Sequence, residues 1–99
     1  SYSDTSVRGA QTFYYSQSEE GKDYAGIIQN ALLDVDPNNH RQAKANDNYY
    51  LLTRTQVPTV IVECGFLSNY DEAEKLADDK YQEEISKAIV HGIESCFGN

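Results

Sequence analysis

Methionine and tryptophan are absent from this 99-residue chain, and only two prolines and two cysteines occur. A chain that begins at Ser1 and holds no methionine is expected to be part of a longer product, and its length allows at most one small domain. Cys64 and Cys96 are too few for a disulfide framework, and both are read as free, largely buried thiols. A zinc site drawn from Cys64, Cys96, His40 and His91 is set aside, because these residues show none of the close spacings that metal sites use. Basic residues are scarce as well: eight Lys and Arg against sixteen Asp and Glu give a formal charge of −8. Such a field repels nucleic acid and anionic lipid, so no nucleic-acid partner is expected, and it favours cationic partners or metal ions. No apolar run approaches the ~20 residues that a membrane-spanning helix needs.

What is present reads as alternating elements. Residues 1 to 9 are polar loop, and "AQTFYY" at 10 to 15 is a strand rich in β-formers. Ser18 is placed to cap a helix over residues 19 to 35, with Glu19 and Glu20 at the positive end of its dipole. Tyr24, Ile27, Ile28, Ala31, Leu32 and Val35 form one apolar stripe at helical period. A turn-rich loop from Asp36 to Asn48 follows, with room for a short irregular strand around Ala43. "YYLLT" at 49 to 53 reads as a strand paired antiparallel with the next one, since "RTQV" is too short for a parallel crossover. On this reading the tyrosines at 14, 15, 49 and 50 alternate between core and surface of strands. Asn69 with Glu72 is a capping-box pair for a short helix. The last helix, from about Lys80 to Phe97, aligns Tyr81, Ile85, Ala88, Ile89 and Ile93 and stops at Gly98. The expected fold class is α/β: three strands and three helices that look like one half of a larger sheet.

The stretch "VPTVIVECGFLSN" at 57 to 69 raises the functional question. Val57, Val60, Ile61 and Val62 read as a strand buried on both faces, and Glu63 ends it before Gly65 lets the chain turn. An unpaired carboxylate costs several kcal/mol to bury, so Glu63 must be explained. Strand ends in open α/β sheets are where ligands gather, and a carboxylate there can act as general base, general acid or metal ligand. It can equally be a structural group paired with Arg41, Arg54 or a helix N-terminus.

"GAQTFYYS", "YYLLTRTQVPTVIVECGFLSN" and "KYQEEISKAIVHGI" together resemble the zinc-dependent N-acetylmuramoyl-L-alanine amidases of bacterial cell-wall turnover, most of all the spore-cortex group. The resemblance runs through nearly all 99 residues in the family's order. It implies the C-terminal half of one amidase domain, a mixed twisted sheet with helices on both faces. Residues 1–99 would be that C-terminal portion, with the N-terminal portion lying outside the sequence. The reaction implied is cleavage of the amide between muramic acid and L-alanine of the stem peptide, outside the cytoplasm at the cell wall or spore cortex. Zinc would polarise the carbonyl and bring its bound water towards a pKa of ~7. Glu63 matches the position that takes the water's proton and passes it to the leaving amine. The family's zinc ligands, two histidines and a glutamate, match no position here and are expected upstream of Ser1. His40 is then a solvated loop residue, and His91 lies on the surface or core edge of the last helix. Arg41 and Lys44 match a basic stretch and are candidates to meet stem-peptide carboxylates, Arg in bidentate fashion. Expected partners are peptidoglycan, the other half of the domain and an activating protein. The competing reading is a non-catalytic wall- or protein-binding module on the same fold, with Glu63 structural.

Overall fold

A computed structural model describes residues 6–98; of the loop read over residues 1 to 9, the first five therefore lie outside the described residues. The elements run β1 (Gln11–Tyr14), α1 (Glu19–Val35), β2 (Lys44–Ala45), α2 (Tyr50–Arg54), β3 (Val60–Glu63), α3 (Tyr70–Ala77) and α4 (Asp79–Cys96). The sheet has the order β2-β1-β3, with β2 parallel and β3 antiparallel to β1.

Local chemistry accounts for most of the boundaries. Ser18 Oγ accepts the Gly21 N–H at 2.9 Å, and Asn69 Oδ1 accepts the Glu72 N–H at 3.2 Å, so both expected caps form. Asp78 caps α4 in the same way, through the Tyr81 N–H at 3.2 Å. Gly98, at φ +77, follows the end of α4 in the left-handed region that suits glycine. The short strand expected near Ala43 forms as β2.

The segment at 49 to 53 departs from expectation. It is helix α2 rather than a strand, and the antiparallel partner of β3 is β1. Leu52 is buried while Leu51 is 64% exposed, and Tyr49 is half-buried one turn before Leu52. That is helical spacing rather than the alternation a strand would need. A five-residue apolar run has no intrinsic preference strong enough to decide, and packing at Leu52 settles it. Four helices thus occur among the described residues, where three were expected. Val60, Ile61 and Val62 are half-buried rather than enclosed on both faces, because β3 is an edge of the sheet among the described residues.

Ala10, Ile28, Leu32 and Ile85 form the buried core, with Val35, Val60, Val62, Tyr81 and Ile89 packed around it. Each fully buried aliphatic side chain contributes about 1.5–3 kcal/mol. α1 and α4 therefore cover the sheet face that carries Thr12, Val60 and Val62. The α4 stripe is rotated slightly from the one expected. Ile93 is 45% exposed and Gly92 is buried in its place. A Cβ on Gly92 would come within 3.1 Å of the Ile28 Cα, so the glycine sets how closely the two helices approach. Replacing it by alanine is expected to lower stability by about 1 kcal/mol, overpacking outweighing the gain in helix propensity. A thermal melt of the variant checks this, and an unchanged or higher midpoint contradicts it.

One polar network ties the C-terminus of α1 to α3. Burial acts to raise the Asp36 carboxyl, but hydrogen bonds from Lys75 Nζ (2.8 Å) and the Asn38 N–H (3.0 Å), with the charges of Lys75 and Arg8, outweigh it and hold it below the ordinary carboxylate range. A depressed carboxyl stabilises the fold above its unfolded value of about 4, and that contribution is lost as pH falls through the lower folded value. Asp36→Asn is therefore expected to cost stability at neutral pH and progressively less below about pH 4. Melts of both proteins across that range test the convergence.

Candidate active site

Cross-strand register decides what Glu63 faces. Gln11 is opposite Glu63 and Phe13 opposite Ile61 on β3, while Phe13 is opposite Lys44 on β2. Directly opposed residues share a face, so Gln11, Phe13, Ile61, Glu63 and Lys44 lie on the side turned away from α1 and α4. The chain entering α2 crosses this side: the Tyr49 ring meets Phe13 edge-on, with centroids 5.5 Å apart.

Glu63 is half-buried at the end of β3 and is not ion-paired with Arg41, Arg54 or any other described residue. Its partner is Tyr49, whose hydroxyl donates to Glu63 Oε2 at 2.8 Å. Residue pattern alone gave no sign of this, since Tyr49 reads as one more strand tyrosine and not as the cap position of a helix. Arg54 instead lies over the Tyr50 ring at 5.3 Å from its centroid.

Arg41 reaches the same region from the loop before β2. Its Nε donates to the Arg8 carbonyl at 2.6 Å, its Nη1 to Gln11 Oε1 at 3.0 Å, and its guanidinium lies 4.8 Å from the centroid of Phe66. The side chain thus clamps the entry of β1 beside Glu63 and stacks on the loop that follows it. Lys44 is exposed on β2, on the Glu63 side of the sheet.

Behind the site, a buried carboxylate ties down the approach to β1 and packs close to the turn after β3. Glu72, 1% exposed, accepts the Gly9 N–H on Oε1 at 2.7 Å. A Cβ on Gly65 would come within 3.2 Å of that same oxygen. Gly9 adopts φ +98, and any side chain there would collide with Asn39 Oδ1. Gln29 supports β1 from the other face: Oε1 accepts the Thr12 N–H at 2.7 Å and Nε2 donates to the Ala10 carbonyl at 3.0 Å. Sequence reading missed Gln29 because an apolar stripe leaves it out, and it saw Glu72 only as half of a capping box.

Among the described residues, no group of three or more His, Cys, Asp or Glu could hold a metal ion. His40 is exposed in its loop and His91 is exposed on α4. The described residues by themselves therefore supply no ligand set for the zinc that the resemblance implies. Cys64 and Cys96 are half-buried free thiols, less enclosed than expected, and burial pushes both thiols up, which leaves little thiolate at neutral pH. Tyr81 is pushed up to about 12, first by burial and then by the nearby Glu72 and Asp36 charges.

Comparison with known proteins extends these observations. Residues 1–95 match the family described as N-acetylmuramoyl-L-alanine amidase. The germination-specific N-acetylmuramoyl-L-alanine amidase of Bacillus subtilis is 39% identical over 85 residues, which is 86% of this chain and 36% of that protein. The Bacillus subtilis protein YqiI is 34% identical over 94 residues, covering 93% of this chain and 45% of its own length. The CwlD amidase from Clostridioides difficile, solved in complex with the GerS lipoprotein, superposes with a TM-score of 0.94 at 40% identity over 98% of this chain and 50% of that one. A second amidase, from Clostridium difficile 630, gives a TM-score of 0.88 at 25% identity, over 97% of this chain and 52% of that one. The chain thus spans about half the length, or less, of the proteins it matches. By the family match and the superposition together, it belongs to the N-acetylmuramoyl-L-alanine amidase family.

Proposed function

We propose that these 99 residues are the C-terminal portion of one amidase domain that hydrolyses the amide between N-acetylmuramic acid and the L-alanine of the peptidoglycan stem peptide, with Glu63 as general acid and base. The observation that carries this reading is the setting of Glu63. It is a half-buried carboxylate at a strand end, fixed by one hydrogen bond on Oε2, with no hydrogen bond on Oε1 from the described residues. An acid that ferries a proton must reach the proton it takes and the atom it gives it to, and both lie on one side of a fixed side chain. Water adds its oxygen to the carbonyl carbon while Glu63 accepts the proton. The C–N bond then breaks, and the same proton goes to the departing amine. The edge position of β3 supports the half-domain reading, since half-buried valine and isoleucine on a sheet edge leave room for a neighbouring strand. The zinc implied by the family is held, on this proposal, by polypeptide outside these residues.

Lys44, across β1 on the Glu63 side of the sheet, and Arg41, bonded to the Gln11 opposite Glu63, are proposed to meet carboxylates of the stem peptide, Arg41 through the part of its guanidinium not bound to Arg8 and Gln11. The names of the relatives favour action at the cell wall or spore cortex, outside the cytoplasm. The lipoprotein bound to the Clostridioides difficile amidase favours a protein regulator for this one as well.

Purified cell wall incubated with the intact amidase tests the proposal. New L-alanine amino termini should accumulate without new reducing sugar ends. Wall binding with no new amino termini would instead favour the non-catalytic module.

A further inference from the structure

We infer that Tyr49 is a positioning residue for Glu63: its hydroxyl holds one carboxylate oxygen in place so that the other is presented to the reacting groups. The inference rests on the acid–base role proposed above for Glu63 and adds the residue that makes that role geometrically possible. A glutamate has three side-chain torsions, and packing at the end of an edge strand leaves the outer ones poorly fixed. The 2.8 Å bond from Tyr49 Oη to Oε2 fixes them. Tyr49 is itself held. It is half-buried, it occupies the cap position of α2, and its ring stands at 77° to that of Phe13. Phe13 is 3% exposed and lies opposite Ile61, two residues before Glu63 on the strand that carries it. The hydroxyl is thus braced against β1 through Phe13, and the carboxylate sits on the strand paired with β1.

The arrangement also favours turnover of the proton. A hydrogen bond to an ionised carboxylate is roughly twice as strong as one between neutral groups. When Glu63 has taken the water's proton on Oε1, the Tyr49 bond weakens, and it regains full strength when that proton passes to the amine. Tyr49 keeps its own proton throughout, so the balance of the reaction is unchanged.

Steady-state kinetics of the intact amidase on a soluble muropeptide, with Tyr49→Phe beside Glu63→Ala, tests the inference. Phenylalanine keeps the ring against Phe13 and removes only the hydroxyl. The expected result is a kcat lower by about tenfold, the size of one hydrogen bond to a charged group, with KM and melting temperature nearly unchanged. An unchanged kcat overturns the inference, and so does a parallel loss of kcat, KM and melting temperature, which a merely structural tyrosine would give. Near-normal activity of Glu63→Ala overturns the underlying acid–base reading. Deep loss there with a normal Tyr49→Phe overturns only the role of Tyr49. If Tyr49→Phe does not fold, 3-fluorotyrosine placed at position 49 supplies a second readout. Its fluorine resonance should move when Glu63 is replaced by alanine, and an unmoved resonance overturns the contact.

Discussion

Glu63→Ala in the intact amidase is expected to lower kcat by about 10²–10⁴-fold, the usual worth of a positioned general acid–base group, while KM changes little. The side chain lies at the end of β3 and its hydrogen bond is to the Tyr49 hydroxyl, not to the backbone ladder, so its removal leaves the pairing with β1 intact. The melting temperature should therefore stay close to that of the parent protein, and this separates lost chemistry from lost fold. A rise in KM with kcat preserved would mean that Glu63 binds substrate without moving protons. Activity within a small factor of normal would remove the acid–base role altogether.

The largest stability effect is expected at Gln29. It is 2% exposed, and its amide accepts from the Thr12 N–H and donates to the carbonyls of Ala10 and Arg41, at 3.0 and 3.3 Å. Leucine has nearly the same volume but no polar atoms. It would leave the Thr12 N–H buried without a partner in the middle of the sheet, while the Ala10 carbonyl keeps the Asn39 amide at 2.9 Å. An orphaned buried donor costs about 1–3 kcal/mol, and the lost bonds to the two carbonyls bring the expected total to roughly 3 kcal/mol. That is a large fraction of the 5–15 kcal/mol by which domains are usually stable. Urea unfolding of Gln29→Leu measures it. A midpoint shift equivalent to well under 1 kcal/mol, at constant slope, would show that the Thr12 N–H finds another acceptor.

Particular residues show what could be read in advance. The helix over 19 to 35 and its Ser18 cap follow from local rules, a stripe at period 3.6 and an oxygen positioned for orphan N–H groups. The β3 strand, its end at Glu63 and the Asn69 cap were legible for the same reason. Residues 49 to 53 were not, because "YYLLT" suits either element, and the outcome depends on Leu52 finding a buried site on a face that no local pattern describes. Gln29 and Glu72 were invisible in their main roles, since what makes them matter is backbone brought close by the fold: Thr12 and Ala10 for one, Gly9 and Gly65 for the other. Glu63 drew attention by its place after an apolar run, but Tyr49 did not. The hydroxyl that bonds Glu63 comes from 14 residues upstream and across a helix start.

Glu72 gives the two glycine-bearing ends a common hinge pin. Gly9 leads into the strand that carries Gln11, Gly65 leads out of the strand that carries Glu63, and one carboxylate oxygen lies against both. Removing that carboxylate would strip the buried Gly9 N–H of its acceptor before β1 and open space beside Gly65 after β3, so one side chain keeps both approaches closed to water.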